Sequence, residues 1–153
     1  MSLFIAHTEA EVSEDVPAPP EEVRAFYVDL DNIKVVHPLI VSVQTTSRTE
    51  SPEGYQHSYR VVDRLPLGPL TLKITYRATL HVPREGDVLT EADQFPAVRL
   101  RGRVSFEPID GGTHVTERIR IAAPRPLLAT TAREGIKAHI EMLAGIRSHF
   151  ESA

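Results

Sequence analysis

A chain of 153 residues, 41% of them hydrophobic and carrying a net charge of -4, can bury one core but not two, so residues 1–153 are expected to form a single domain. It has no cysteine, which excludes a disulfide framework and any thiolate metal site while leaving the redox compartment open. The charge gives no reason to expect nucleic-acid binding, no stretch reaches the roughly 18 apolar residues of a membrane span, and MSLFIAHTEAEVSED lacks the basic region and apolar run of a leader, so a soluble, cytoplasmic protein is expected.

Phe4, Ala6, Thr8, Ala10 and Val12 alternate with His7, Glu9, Glu11 and Ser13, the pattern of a half-buried strand that ends at Val16-Pro17. Ala18-Pro19-Pro20-Glu21-Glu22 then starts a helix, with proline in the first turn and two carboxylates where the helix dipole favours them. Its apolar face is Val23, Phe26, Tyr27 and Leu30. Asp31 is placed to cap a second short helix, Asn32 to Val36, which stops near His37 because Pro38 disfavours helix in the residue before it.

From Leu39 onward the signals are strand and turn. Breaks at 51–54, 67–69, 84–87, 95–97 and 110–112 cut out six strands. Tyr55, His57, Tyr59 and Val61 share one face of the first strand after Pro52; Leu70, Leu72, Ile74, Tyr76, Ala78, Leu80 and Val82 share a face of the next. Leu100, Gly102, Val104 and Phe106 do so later, as do Val115, Glu117, Ile119 and Ile121. The segment 126–150 reads as a helix of about seven turns, with Leu128, Ala132, Ile136, Ile140, Leu143, Ile146 or Arg147, and Phe150 as its apolar stripe. That stripe must be covered, and the apolar strand faces are available to cover it.

The order of strand, two helices, six strands and long helix, with VPAPPEEVRAFYVDLDNI after the first strand and the GGTHVTERIRI hairpin before the last helix, resembles the START and Bet v 1-like (SRPBCC) superfamily of polyketide cyclase/dehydrase and lipid-transport type. The resemblance covers nearly the whole chain, although the tryptophan usual after the first helix is replaced by Ile33, Lys34 or Val35. It implies an α+β helix-grip fold, with a seven-stranded antiparallel sheet curled around the C-terminal helix and enclosing a cavity for an apolar ligand. Binders, carriers and enzymes share that fold.

Strand register singles out polar residues that face inward. If Gly111-Gly112 is a two-residue loop, Asp110 pairs with Thr113, Val104 with Ile119 and Phe106 with Glu117, which directs Glu117 into the interior. A carboxylate there needs a partner, such as a hydroxyl at Thr130 or Thr131, or else a raised pKa; a local twist could also leave it at the rim. Tyr55, His57, Tyr59, Tyr76 and Gln94 have the same parity and suit either a core or a pocket for a mostly apolar ligand with a few oxygens. With Leu72, Ile74, Val104, Phe106, Glu117, Ile119, Ile136, Ile140 and Leu143 they form the expected ligand-binding set. Glu117 and His57 are the candidate catalytic residues, and His37 is expected near the pocket entrance.

The seven histidines show no paired metal-ligand spacing, and no phosphate loop, dinucleotide fingerprint or nucleophile elbow occurs, so neither a metal nor a cofactor is expected. Arg99, Arg101, Arg103, Arg118 and Arg120 resemble a nucleic-acid patch, but pairing sets Asp93 beside Arg99, Glu91 beside Arg101, and Glu9 and Glu11 near Arg118 and Arg120, as on a solvated sheet face. A carrier for an apolar lipid, polyketide or steroid-like molecule is the leading expectation, and a weak homodimer is compatible with it. The alternatives are a cyclase/dehydratase-type enzyme and a protein-interaction module. A convergent acid/base pair in the cavity favours the enzyme, an apolar cavity the carrier, and a filled interior or a void smaller than the usual ~300–1,000 Å³ the interaction module.

Overall fold

A computed structural model describes residues 4–152. The chain runs β1 (Ile5–Val16), α1 (Pro20–Tyr27), α2 (Leu30–Val36), β2 (Ile40–Ser51), β3 (Gly54–Leu67), β4 (Leu70–Pro83), β5 (Val88–Gln94), β6 (Val98–Ile109), β7 (Gly112–Pro124) and α3 (Arg125–Glu151). The strands form one seven-stranded antiparallel sheet in the order β1-β7-β6-β5-β4-β3-β2. β2 to β7 are a continuous meander, while α1 and α2 carry the chain from one edge to the other. This is the helix-grip fold.

Local chemistry sets the boundaries. α1 has Pro20 in its first turn, followed by Glu21 and Glu22, and buries Val23 and Tyr27. α2 begins earlier than the sequence suggests. Its cap is Asp29, whose side chain accepts from the Asp31 N–H, so Asp31 lies inside the helix and Leu30 is its first residue. It ends at His37, which is extended ahead of Pro38. α2 meets α3 at Gly145, where a Cβ would stand only 2.9 Å from the Cβ of Val36.

The β6–β7 hairpin corrects one expectation. Ile109 pairs with Gly112, so the loop is Asp110-Gly111, with Gly111 at φ +78°, and Gly112 already belongs to β7. Gly112 serves strand approach instead of the turn, since a Cβ there would lie 2.1 Å from the Val16 carbonyl oxygen. Val104 therefore faces Glu117, Phe106 faces Val115 and Gly102 faces Ile119. The slip is two residues. Because side chains alternate with period two, every residue keeps the face expected of it, and Glu117 remains inside.

α3 packs on β1, β7 and α2, and buries Ala138, Met142, Leu143 and Ile146. Ile140 is not in this face: it is 54% exposed. At 3.6 residues per turn it lies roughly 140° round the helix from the centre of a stripe that runs through Gly135, Ala138, His139, Met142 and Ile146. The apolar count places the stripe on Ile136 and Ile140 because it passes over a glycine and a histidine. Leu72 is exposed for a different reason. β5 pairs with β4 only over Arg77–His81, so the first half of β4 overhangs, and both Leu70 and Leu72 are exposed.

On the outer face, the acidic and basic columns pair as the register requires. Glu9 meets Arg120, Glu11 meets Arg118, and Arg101 bonds Asp93 at 3.0 Å beside Glu91. Exposed pairs of this kind contribute little. Arg101→Ala is expected to shift a urea melt by no more than about 1 kcal/mol.

Candidate ligand-binding site

α3 closes on β1 and β7, and a cavity opens between it and the β3–β6 part of the sheet. Its volume is about 200 Å³, it is partly open to solvent, and its wall is mostly apolar, with Leu30, Ile33, Ile40, Ile74, Leu80 and Met142 among the lining residues. This is below the ~300–1,000 Å³ usual for drug-sized ligands. It is comparable with the ~150 Å³ that accommodates benzene in an engineered apolar cavity. The space as drawn suits a ligand of about one ring, with substituents that extend through the opening.

Polar groups converge on this wall from three directions. His139 of α3 lines the cavity, and its Nδ1 lies 2.9 Å from Oε1 of Glu117 on β7. Glu117 is 2% exposed, and its other oxygen accepts a short hydrogen bond from the Tyr27 hydroxyl of α1. Burial, the Glu117 charge and this bond all push the Tyr27 phenol well above its ordinary value, so Tyr27 remains the donor. Burial pulls His139 down, but the Glu117 charge, the hydrogen bond to it and the nearby Asp63 outweigh that, and its pKa is raised overall. No described buried side-chain nitrogen or oxygen lacks a partner, so His139 Nε2, with no protein bond of its own, is accessible on a residue that lines the cavity.

Across the cavity, Asp63 of β3 accepts from the Tyr76 hydroxyl of β4 at 3.3 Å. Burial pushes the Asp63 carboxyl up to about 6, against the opposing pull of that hydrogen bond and of His139. His37, at the end of α2, completes the ring of polar groups. Its Nδ1 accepts from the Leu39 N–H, and its ring meets that of His139 edge-on at 5.7 Å. Burial and the neighbouring His139 lower its pKa to about 3, so it is neutral in the folded protein.

The linkage to stability has a definite sign. Between pH 3 and 6.5 the unfolded chain protonates His37 and the folded chain does not, so this residue makes stability fall as pH drops through that window. Asp63 acts oppositely, favouring the fold below about pH 6. His37→Gln is therefore expected to reduce the stability lost between pH 7 and pH 4. The reduction is at most about 1.4 kcal/mol per pH unit below 6.5 and is measured by paired urea melts.

Of the residues singled out from sequence, Ile74, Tyr76 and Gln94 lie on the cavity wall, and His37 does too. Tyr59, Val104, Ile119 and Leu143 are solid core, with Phe106 and Ile136 packed against it. Tyr55 lines a separate open cleft, with the Arg48 guanidinium 3.8 Å over its ring. His57 is not brought to Glu117. Its Nε2 meets Thr45, its Nδ1 meets the Tyr59 hydroxyl, and the two rings stack at 4.0 Å. Ile140 and Leu72, being exposed, do not line the cavity. Thr131 does line it, but the partners of Glu117 are Tyr27 and His139, not a threonine hydroxyl.

No group of three His, Cys, Asp or Glu side chains among the described residues could hold a metal ion. No described helix is long and apolar enough to cross a membrane.

An antiparallel sheet gripped by a terminal helix, with an apolar cavity between them, defines a ligand-binding domain of the SRPBCC, Bet v 1-like superfamily. Within it, the chain belongs to the family described as polyketide cyclase / dehydrase and lipid transport, which matches residues 7–151. No curated protein matches significantly. Among solved structures, TTHA0849 from Thermus thermophilus has a TM-score of 0.73 at 18% identity, over 95% of this chain and 98% of that one. The di-domain aromatase/cyclase BexL of the BE-7585A biosynthetic pathway has 0.70 at 16%, over 95% of this chain and 50% of BexL. The Zhui aromatase/cyclase from Streptomyces sp. R1128 has 0.63 at 16%, over 94% of each. At such identities the likeness is one of fold.

Proposed function

We propose that the protein is a cyclase/dehydratase-type enzyme that moves protons on a compact, mostly apolar carbonyl compound, with His139 as general base. The observation that carries this reading is the chain Tyr27–Glu117–His139. The buried carboxylate accepts from the Tyr27 hydroxyl and from His139 Nδ1, which fixes the imidazole and leaves Nε2 free at the cavity. A carrier needs an apolar wall but no such chain. The small volume on its own favours an interaction module, yet a filled interior gives no reason to hold His139 and Asp63 beside a void.

The test needs no natural substrate. Cyclohexanone in D2O exchanges its α-protons slowly, and exchange is followed by proton NMR. Wild type is expected to accelerate exchange, and His139→Gln to lower the acceleration by about 10² to 10⁴-fold. Glu117→Gln keeps shape but loses the charge that orients His139, and is expected to give an intermediate loss. Binding of the ketone without exchange supports the carrier. Neither binding nor exchange supports the interaction module.

A further inference from the structure

A base alone cannot expel a poor leaving group such as hydroxide; an acid must meet the departing oxygen. Glu117 does not fit that role, because both of its oxygens are engaged, by Tyr27 and by His139. The other titratable groups on the wall are His37, Asp63, Tyr76, Glu91 and Glu134. His37 is neutral above about pH 3 and so is no acid at milder pH, Glu91 faces His81 and Arg101, and Glu134 is placed near Arg133. Asp63 differs from all of these. It is half-buried on the arm of the sheet remote from Glu117, its Oδ1 accepts from Tyr76, and Oδ2 has no protein partner while no buried side-chain oxygen is left unpaired. Oδ2 is therefore accessible, and Asp63 and His139 line the same cavity and lie near enough for each to shift the pKa of the other.

We infer that Asp63, positioned by Tyr76, is the acid of this cavity and delivers the proton to the hydroxyl lost from a one-ring β-hydroxy ketone. The inference rests on His139 being the base. Nε2 of His139 takes the α-proton, the C–H electron pair forms the C=C bond, the C–O bond breaks, and the Asp63 proton completes a water molecule. Asp63 ends as a carboxylate and His139 as an imidazolium, and proton exchange with solvent restores both. No oxidant or reductant enters. Burial keeps a useful fraction of Asp63 protonated in mildly acidic solution, as its value of about 6 indicates.

The experiment uses 3-hydroxycyclohexanone, which gives cyclohex-2-enone and water on elimination. α-Proton exchange is followed by NMR and the enone by its ultraviolet absorbance. Wild type is expected to do both, and the ratio of elimination to exchange is expected to fall as pH rises through about 6, because exchange needs only neutral His139 whereas elimination also needs protonated Asp63. Asp63→Asn is expected to lower the ratio of elimination to exchange by at least about 10²-fold. Tyr76→Phe removes a hydrogen bond that favours the ionised carboxyl, so it should move the pH limb of the elimination-to-exchange ratio upward, an effect that a merely structural role would not produce. An unchanged ratio in Asp63→Asn, an unmoved limb in Tyr76→Phe, or a wild type that exchanges without eliminating overturns the inference and leaves His139 standing. Absence of exchange in wild type overturns the reading of His139 itself.

Discussion

Leu143→Ala is expected to cost about 2 to 5 kcal/mol of stability, and Ile140→Ala less than about 0.5 kcal/mol. The two residues are three positions apart on α3 and similar in size, so transfer free energy alone does not separate them. Burial does. Leu143 is 1% exposed inside the cluster that includes Met142, Ile146, Val16 and Ile119, whereas Ile140 is 54% exposed. Removing Leu143 loses its burial and leaves a hole that a helix held against β1 and β7 cannot readily close. Removing Ile140 takes apolar surface out of water, and alanine is the better helix former. Urea melts of the two variants decide the matter. A larger loss for Ile140 would mean that α3 is rotated relative to the sheet.

The same helix shows how much was legible in the sequence. Its bounds were, because the periodic segment is bordered by Pro124 and by the end of the apolar repeat. The strands and turns were too, since glycine and proline punctuate every break. Parity placed Glu117 inside even though the pairing was two residues out, because a shift of two cannot change a face. The functional face of α3 was not legible from hydrophobicity. A helix that borders a void carries a glycine and a histidine at stripe positions, and an apolar count reads both as interruptions. Asp63 could have been found. It continues the parity of Tyr55, His57, Tyr59 and Val61, so the inward face of β3 ends on a carboxylate. Tyr27 could not be tied to Glu117 from sequence, because α1 and β7 are joined only by tertiary packing and 90 residues separate the two. The same limit applies to His139 and Glu117, whose contact sets the site and whose spacing carries no local motif.

Gly135 gives the second large expected effect, because here stability and function should separate. It sits in the body of α3, where glycine costs about 1 kcal/mol relative to alanine. It also lines the cavity, and a Cβ built on it would meet nothing within 4 Å. The helix therefore bears a cost in propensity at a position where a Cβ would clash with nothing in the protein. What a larger residue would take is the space itself. Gly135→Ala is expected to stabilise the protein by up to about 1 kcal/mol and to leave ketone binding in place. Gly135→Leu places a branched side chain into a cavity of only about 200 Å³ and is expected to abolish cyclohexanone binding, read by saturation-transfer NMR, together with the exchange proposed for His139. Its urea midpoint should stay near that of wild type, since the added methyl groups fill apolar space without displacing a packed neighbour. A leucine variant that still binds and exchanges the ketone at the wild-type rate would place the ligand somewhere other than this cavity.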